Sequence, residues 1–159
     1  MNIKNYKTQI LNCEESKTRA SDINRFISNS VDFYGDIFSW VNDKYLTPSE
    51  INEYERSIYC VKHKSEIAAL LLLKDTASEK KICHLNVAKP FRNSTIGRDL
   101  FLVSHDKLND EKPLITLDQT KLPQFEKLFN EMGYDIVETL DNKYWIGNKE
   151  LVFNKRFDN

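Results

Sequence analysis

Residues 82–108 read ICHLNVAKPFRNSTIGRDLFLVSHDKL, and this run divides into strand, polar turn and helix. Residues 82–87 alternate. Cys83, Leu85 and Val87 are expected on one side of a strand, with Ile82, His84 and Asn86 on the other. Pro90 stops regular pairing. From Ile96 the apolar residues return at helical spacing, at Ile96, Leu100 and Val103, with Phe101 and Leu108 widening the stripe. Between the two lie Arg92, Asn93, Ser94, Thr95, Ile96, Gly97 and Arg98, where a helix begins. A helix start leaves backbone N–H groups unpaired and carries partial positive charge. Such a turn suits a phosphate or pyrophosphate.

Downstream, residues 113–117 read as a second strand. A helix separates it from the first, so the two run parallel. Asp118 follows at its carboxyl end. Pro123 opens a helix whose apolar side carries Leu122, Phe125, Leu128, Phe129 and Met132, and Gly133 ends it. Residues 134–140 form a strand and residues 141–143 a turn. Residues 144–146 and 151–153 supply the last strand or strands, with a turn at 147–148. Upstream, residues 66–74 are apolar on both faces and read as a central strand covered from two sides. Residues 75–81 make its hairpin to residue 82, and residues 57–61 form the strand before it. Thr47, Pro48 and Glu50 mark a helix start. An earlier helix turns Ile37, Trp40, Val41 and Tyr45 inward. Ser21 is expected to cap a helix carrying Ile23, Phe26 and Ile27. Residues 6–13 are the first strand. The order is strand, two or three helices, three strands, helix, strand, helix and final strands, a mixed α/β domain over residues 1–159.

A chain of 159 residues fits one such domain. With 40% apolar and 30% charged residues it is globular. The 23 basic and 24 acidic residues leave a net charge of −1, which gives no global argument for nucleic acid or a membrane surface. No stretch approaches the roughly 20 apolar residues of a membrane span, and the N-terminus lacks the apolar core of a signal peptide. Cys13, Cys60 and Cys83 are odd in number and lie in expected strands, which points to reduced thiols in a cytoplasmic protein. His63, His84 and His105 share no metal-ligand spacing, so no metal is expected.

The 82–108 run resembles the acetyl-CoA-binding motif of the GCN5-related N-acetyltransferases, with Val87, Arg92, Gly97 and Leu100 as its anchors. Thr95 stands where the family usually has its first Gly, which calls for helical backbone at that residue. Met132-Gly133-Tyr134 is similar to the Gly-aromatic end of the family's later helix, and the order of elements matches over nearly the whole chain. The resemblance implies a mixed, mostly antiparallel central sheet with helices on both faces and a splayed parallel strand pair.

It further implies acetyl-CoA as co-substrate, entering the gap between residues 82–87 and 113–117. Backbone at Leu85, Asn86 and Val87 would pair with the pantetheine. The N–H groups of Asn93, Ser94, Thr95, Ile96, Gly97 and Arg98 would hold the pyrophosphate, with Arg92 and Arg98 adding charge. The implied reaction is transfer of an acetyl group to a primary amine by direct attack. The Val87 N–H would stabilise the oxyanion. Asp118 would bind an amine or relay a proton; Tyr134 and Tyr144 are the phenols near in sequence, and Tyr144 is taken as the candidate. The Tyr that often serves as general acid in the family, four residues before the Gly, is replaced by Phe129. His84 is expected to be a packed core histidine. The acceptor site would draw on residues 28–55, including Phe33, Tyr34, Asp36 and Trp40, and on the turn at 141–148. The acceptor's class stays open among a small amine, a protein amine and an aminoacyl-tRNA, the last requiring a basic surface at the cleft. Two alternatives stand beside the enzyme. Phe129 and Thr95 fit a catalytically inactive acyl-CoA-binding or protein-interaction module on the same fold, and an unrelated α/β interaction domain would bind no CoA. A strand edge at residues 151–153 offers pairing between copies in a homodimer.

Overall fold

The computed structural model describes residues 10–12, 20–30, 37–46, 55–144 and 146–157. Seven strands form one sheet: β1 (Ile10–Asn12), β2 (Arg56–His63), β3 (Glu66–Asp75), β4 (Lys80–Val87), β5 (Leu114–Asp118), β6 (Ile136–Asp141) and β7 (Lys149–Phe153), in the order β1-β2-β3-β4-β5-β7-β6. Every neighbouring pair is antiparallel except β4 with β5. Among the described residues four α-helices accompany them: α1 (Ala20–Ser30), α2 (Ile37–Val41, continued by a π-helical turn at Asn42–Leu46), α3 (Ile96–Leu108) and α4 (Leu122–Met132).

β3 is the hub. Leucines and alanines favour helix in isolation, but residues 68–73 are at most 1% exposed, covered on both faces. Ile23, Phe26, Ile27 and Val41 of α1 and α2 pack on one face, against Cys60, Leu70 and Leu72. Ile96, Leu100, Phe101 and Leu108 of α3 and Phe129 of α4 pack on the other, against Leu71, Leu73, Ile82, Ile115, Leu151 and Phe153. Each fully buried leucine stabilises the fold by roughly 1.5–3 kcal/mol, and this double burial outweighs local helix preference.

The contact between β4 and β5 positions the site. The two strands pair only at Lys81–Leu114 and Ile82–Ile115, near their amino ends. Beyond that the ladder stops, which leaves a gap in the sheet's hydrogen bonding between residues 83–87 and 116–118. On its other side β4 stays paired with β3 as far as Ala69–Val87.

Several expectations are revised. Strict alternation fails in β4, because the register shifts from Leu72–His84 to Leu73–Ile82 and Cys83 is the extra residue of a bulge. Ile82, Leu85 and Val87 therefore pack towards α3, and Cys83 packs towards α1 and α2. Ser21 lies inside α1, which begins at Ala20. Tyr144 and Ile146 belong to the β6–β7 hairpin loop, turned by Asn142 (φ 57°) and Gly147 (φ 85°). β7 lies between β5 and β6, so residues 151–153 offer no edge to a second copy, and the outer strand there is β6. The expected helix start at Thr47 and residues Phe33, Tyr34, Asp36 and Cys13 lie outside the described residues.

Candidate active site

The bulged strand and the helix that follows it build one wall of the gap. Ala88 N–H bonds to the Ala68 carbonyl at 2.9 Å, which fixes the hydrogen-bonding phase of β4 against β3. Asn86 spends its backbone groups on β3, as Ala88 does its N–H, while the Ala88 carbonyl accepts from Phe91 N–H at 2.9 Å. Leu85 and Val87, opposite Leu71 and Ala69, turn their N–H and C=O groups the other way, into the gap.

The chain then leaves β4 through a 3-10 turn at Lys89–Phe91 and reaches α3. Asn93 takes the left-handed turn (φ 62°), a conformation Asn tolerates through its short polar side chain. Thr95 is helical at φ −77° and ψ −5°, as its branched side chain requires. The positive φ thus falls two residues before the position where the motif usually has its first Gly. Ser94 Oγ donates to the Phe91 carbonyl at 2.5 Å and accepts from Ile96 N–H at 3.3 Å. The next N–H groups, of Gly97 and Arg98, have no intrahelical acceptor. A Cβ placed on Gly97 would meet only Val87 Cγ2, at 4.0 Å, so the helix start lies directly against the end of β4. Both arginines already have partners. Arg92 Nε donates to the Val87 carbonyl at 2.8 Å, and Arg98 pairs with Glu131 of α4 at 2.8 Å.

The other wall carries the polar chemistry. Ile115, Leu117, Leu151 and Phe153 face α3 and α4, so Thr116, Asp118 and Glu150 face the side of α1 and α2. Asp118 stands opposite Glu150 across the β5–β7 pair. Asp118 Oδ1 accepts from Thr120 N–H at 2.8 Å and Oγ1 at 2.5 Å, and Asn148 Nδ2 donates to its Oδ2 at 2.5 Å. The same Nδ2 lies 3.4 Å from Glu150 Oε2. Burial works against the Asp118 carboxylate, but the bonds from Thr120 and Asn148 prevail and hold its pKa below the usual range. Glu150, fully buried, is pushed up, first by burial and further by the neighbouring Asp118. Tyr144 reaches Thr116 and lies beside Glu150; burial raises its pKa, so it keeps its proton at neutral pH. Among the described residues, three buried polar atoms lack a partner: His84 Nε2, Asn148 Oδ1 and Glu150 Oε1.

The structure therefore brings Asp118 and Tyr144 to one polar cluster, and Leu85, Val87 and residues 93–98 to the facing wall. Asn86 directs its backbone to β3. Phe129 faces neither. It is 2% exposed, stacked among Phe101, Phe125, Tyr134 and Phe153. Tyr134 is buried beside it, its hydroxyl on His105 Nε2. Asn148 ends the turn at 141–148 that the sequence assigns to the acceptor site, whereas Thr116 and Glu150 are polar residues that the sequence reading does not single out. Their signal was present: Glu150 shares its strand face with Val152, so alternation puts a carboxylate on a buried face.

Comparison with known proteins bears on the whole arrangement. Neither a protein-family model nor a curated protein matches the sequence. Solved structures do match the fold. The ribosomal-protein-S18-alanine N-acetyltransferase of Escherichia coli superposes with a TM-score of 0.69 at 12% identity, over 92% of this chain and 91% of that one. The fold is that of the GCN5-related N-acetyltransferases. A Bacillus subtilis acetyltransferase in complex with CoA gives 0.66 at 13% identity, over 92% and 97%. An acetyltransferase of this fold from Elizabethkingia anophelis, with acetyl-CoA bound, gives 0.52 at 18% identity, over 71% and 85%.

Proposed function

We propose that the protein is an acetyl-CoA-dependent N-acetyltransferase that acts on a primary amine. The observation that carries this reading is the gap between β4 and β5. It is lined on one side by the outward backbone groups of Leu85 and Val87 and closed at one end by the free N–H groups of α3. These features fit CoA: an extended amide chain can pair with Leu85 and Val87, and a pyrophosphate can take the N–H groups of residues 93–98. Arg92 and Arg98 reach that phosphate once they release Val87 and Glu131. Acetyl-CoA, when bound, supplies the acetyl group as a thioester open to direct attack by a neutral amine.

The chain's own residues do the rest. Val87 N–H donates to the carbonyl oxygen as negative charge builds there. Asp118, ionised and held by Thr120 and Asn148, orients the amine. Tyr144 remains protonated and is the proton donor on this side of the gap. A second reading, a CoA-binding module without turnover, draws on the position of Phe129, where a core ring replaces the family's usual acid.

Calorimetric titration of the protein with acetyl-CoA and with free CoA tests the proposal, followed by a screen of primary amines for CoA release. Micromolar, single-site binding with turnover of an amine is the expected result. Binding without turnover of any amine selects the module, and absence of binding by either compound overturns both readings.

A further inference from the structure

β6 is the outermost strand of its half of the sheet. Asn142 N–H bonds to the Asn148 carbonyl at 2.8 Å, and the register runs unbroken from Asp141–Lys149 to Glu138–Val152. Alternation then commits the backbone groups of Leu140 and Glu138 to β7 and turns the N–H and C=O of Thr139 and Asp141 outward. Among the described residues no strand meets that edge, and an unpaired edge is a template for another strand. Exposed apolar surface gathers at the same place. Of the four large apolar side chains exposed among the described residues, Ile136 (50%) begins β6, and Tyr144 and Ile146 (95%) lie on the hairpin loop that follows it; the fourth, Leu102, is on α3. Gly147 N–H donates to Asn142 Oδ1 at 2.6 Å, which keeps Ile146 close to the end of β6. Ile136 and Asn142 are separated by roughly 20 Å of strand at ~3.3 Å per residue, so within one molecule neither end of β6 covers the other.

We propose that two copies of this chain pair antiparallel through β6, with Thr139 opposite the partner's Thr139, and join their sheets across a two-fold axis. Charge selects this register. Centring the pair on Glu138 sets Glu138 against itself and Asp135 against Asp141, and centring it on Asp141 sets that carboxylate against its own copy. Like charges directly opposite one another are destabilising. Centring on Leu140 avoids that clash but leaves Lys143 opposite Val137. Centring on Thr139 pairs the outward groups of Thr139 with each other and sets Glu138 against Leu140. It brings Asp135 to the partner's Lys143 at both ends, and Ile136 to the end of the partner's β6 beside which Ile146 stands. Asp135 is exposed and makes no ion pair among the described residues. Lys143 is also exposed, its Nζ 4.7 Å from the centre of the Phe157 ring. The bulge at Val137 keeps the paired stretch short, so the dimer is reversible. Pairing steadies the hairpin that carries Tyr144 and Asn148 to the polar cluster, and it does not depend on the acetyl-transfer reading.

Sedimentation equilibrium of the full chain over a series of concentrations, in the absence of CoA, tests the proposal. A reversible monomer–dimer equilibrium is expected. Thr139→Pro removes an outward N–H without taking a bond from β7, and is expected to weaken dimerisation at least tenfold. Asp135→Lys and Lys143→Asp, each alone, are expected to weaken it by about fivefold through repulsion at both ends of the pair. The double variant restores the opposite charges and is expected to dimerise within about twofold of the wild type. Both charge reversals lie on the surface, so they keep the test decisive should Thr139→Pro fail to fold, and circular dichroism checks each variant. Three outcomes overturn the proposal. A monomer at every concentration leaves the edge to a strand of another protein. A dimer unaltered by Thr139→Pro in its folded form lies on a different surface, such as the face of α3 that carries Leu102. A double variant no tighter than either single one removes the register centred on Thr139.

Discussion

His84 shows how one side chain ties burial to pH. Its Nε2 is shielded and has no partner, and burial, with Lys121 nearby, takes its pKa from 6.5 down to about 4. The folded state therefore holds a neutral imidazole where the unfolded chain would take up a proton. Between pH 6.5 and about 4 the unfolded state binds more protons, so stability falls as pH falls through that window. At 1.36 kcal/mol per pH unit, a drop from 6.5 to about 4 corresponds to roughly 3 kcal/mol. Urea denaturation at pH 7 and pH 4 should show the wild type losing that much more than His84→Leu, which has nothing to protonate. Equal losses would mean that His84 is solvated. Phe129 makes a second point at this scale. Its place is four residues before Gly133, which the sequence reads as the seat of a missing acid, but its ring is packed on four other aromatics. Phe129→Tyr would bury a hydroxyl without a partner, so it should cost about 1–3 kcal/mol and add no basic limb to a pH–rate profile. A stable variant with faster turnover would show that the ring faces the gap after all.

At the scale of elements, the strand–turn–helix run was legible because each part carries its own signal: alternation in β4, the proline stop, and apolar spacing along α3. What alternation could not show was the bulge at Cys83. An extra residue leaves the composition of a strand unchanged while moving part of it to the other face. The hairpin loop hid for a similar reason. Tyr144 and Ile146 look like strand residues, but the positive φ at Asn142 and Gly147 comes from turn geometry that many sequences share. The start of α3 is where a single change separates binding from folding. Gly97 has room for a Cβ, and a carboxylate in the first turn of a helix is favourable to its dipole. Gly97→Glu should therefore leave the unfolding midpoint unchanged or slightly higher, while weakening CoA at least tenfold by placing negative charge where the pyrophosphate belongs. Unchanged CoA affinity would remove the phosphate from this helix start.

The whole molecule is two pieces of sheet meeting at a narrow seam. β1 to β4 form one antiparallel block, β5, β7 and β6 another, and only two residue pairs of β4 and β5 join them in the sheet. The order of elements was enough to place that parallel pair. The polar cluster beside it was harder to see, because Asp118, Asn148 and Glu150 become neighbours only when β7 inserts between β5 and β6, a pairing distant in sequence. The seam makes a prediction that belongs to the assembled sheet. Asn86 and Ala88 N–H groups are committed to β3, whereas those of Leu85 and Val87 open onto the gap. In the free protein, amide hydrogen exchange should be slow at Asn86 and Ala88 and fast at Leu85 and Val87. If an extended ligand completes the sheet at this seam, saturating CoA should slow exchange at Leu85 and Val87 by at least tenfold and leave Asn86 and Ala88 as they were. Protection at all four in the free protein would mean that β4 and β5 close up in solution. Fast exchange at Leu85 and Val87 with CoA bound would mean that the ligand does not lie along the strand, and the gap would have to be read as packing geometry alone.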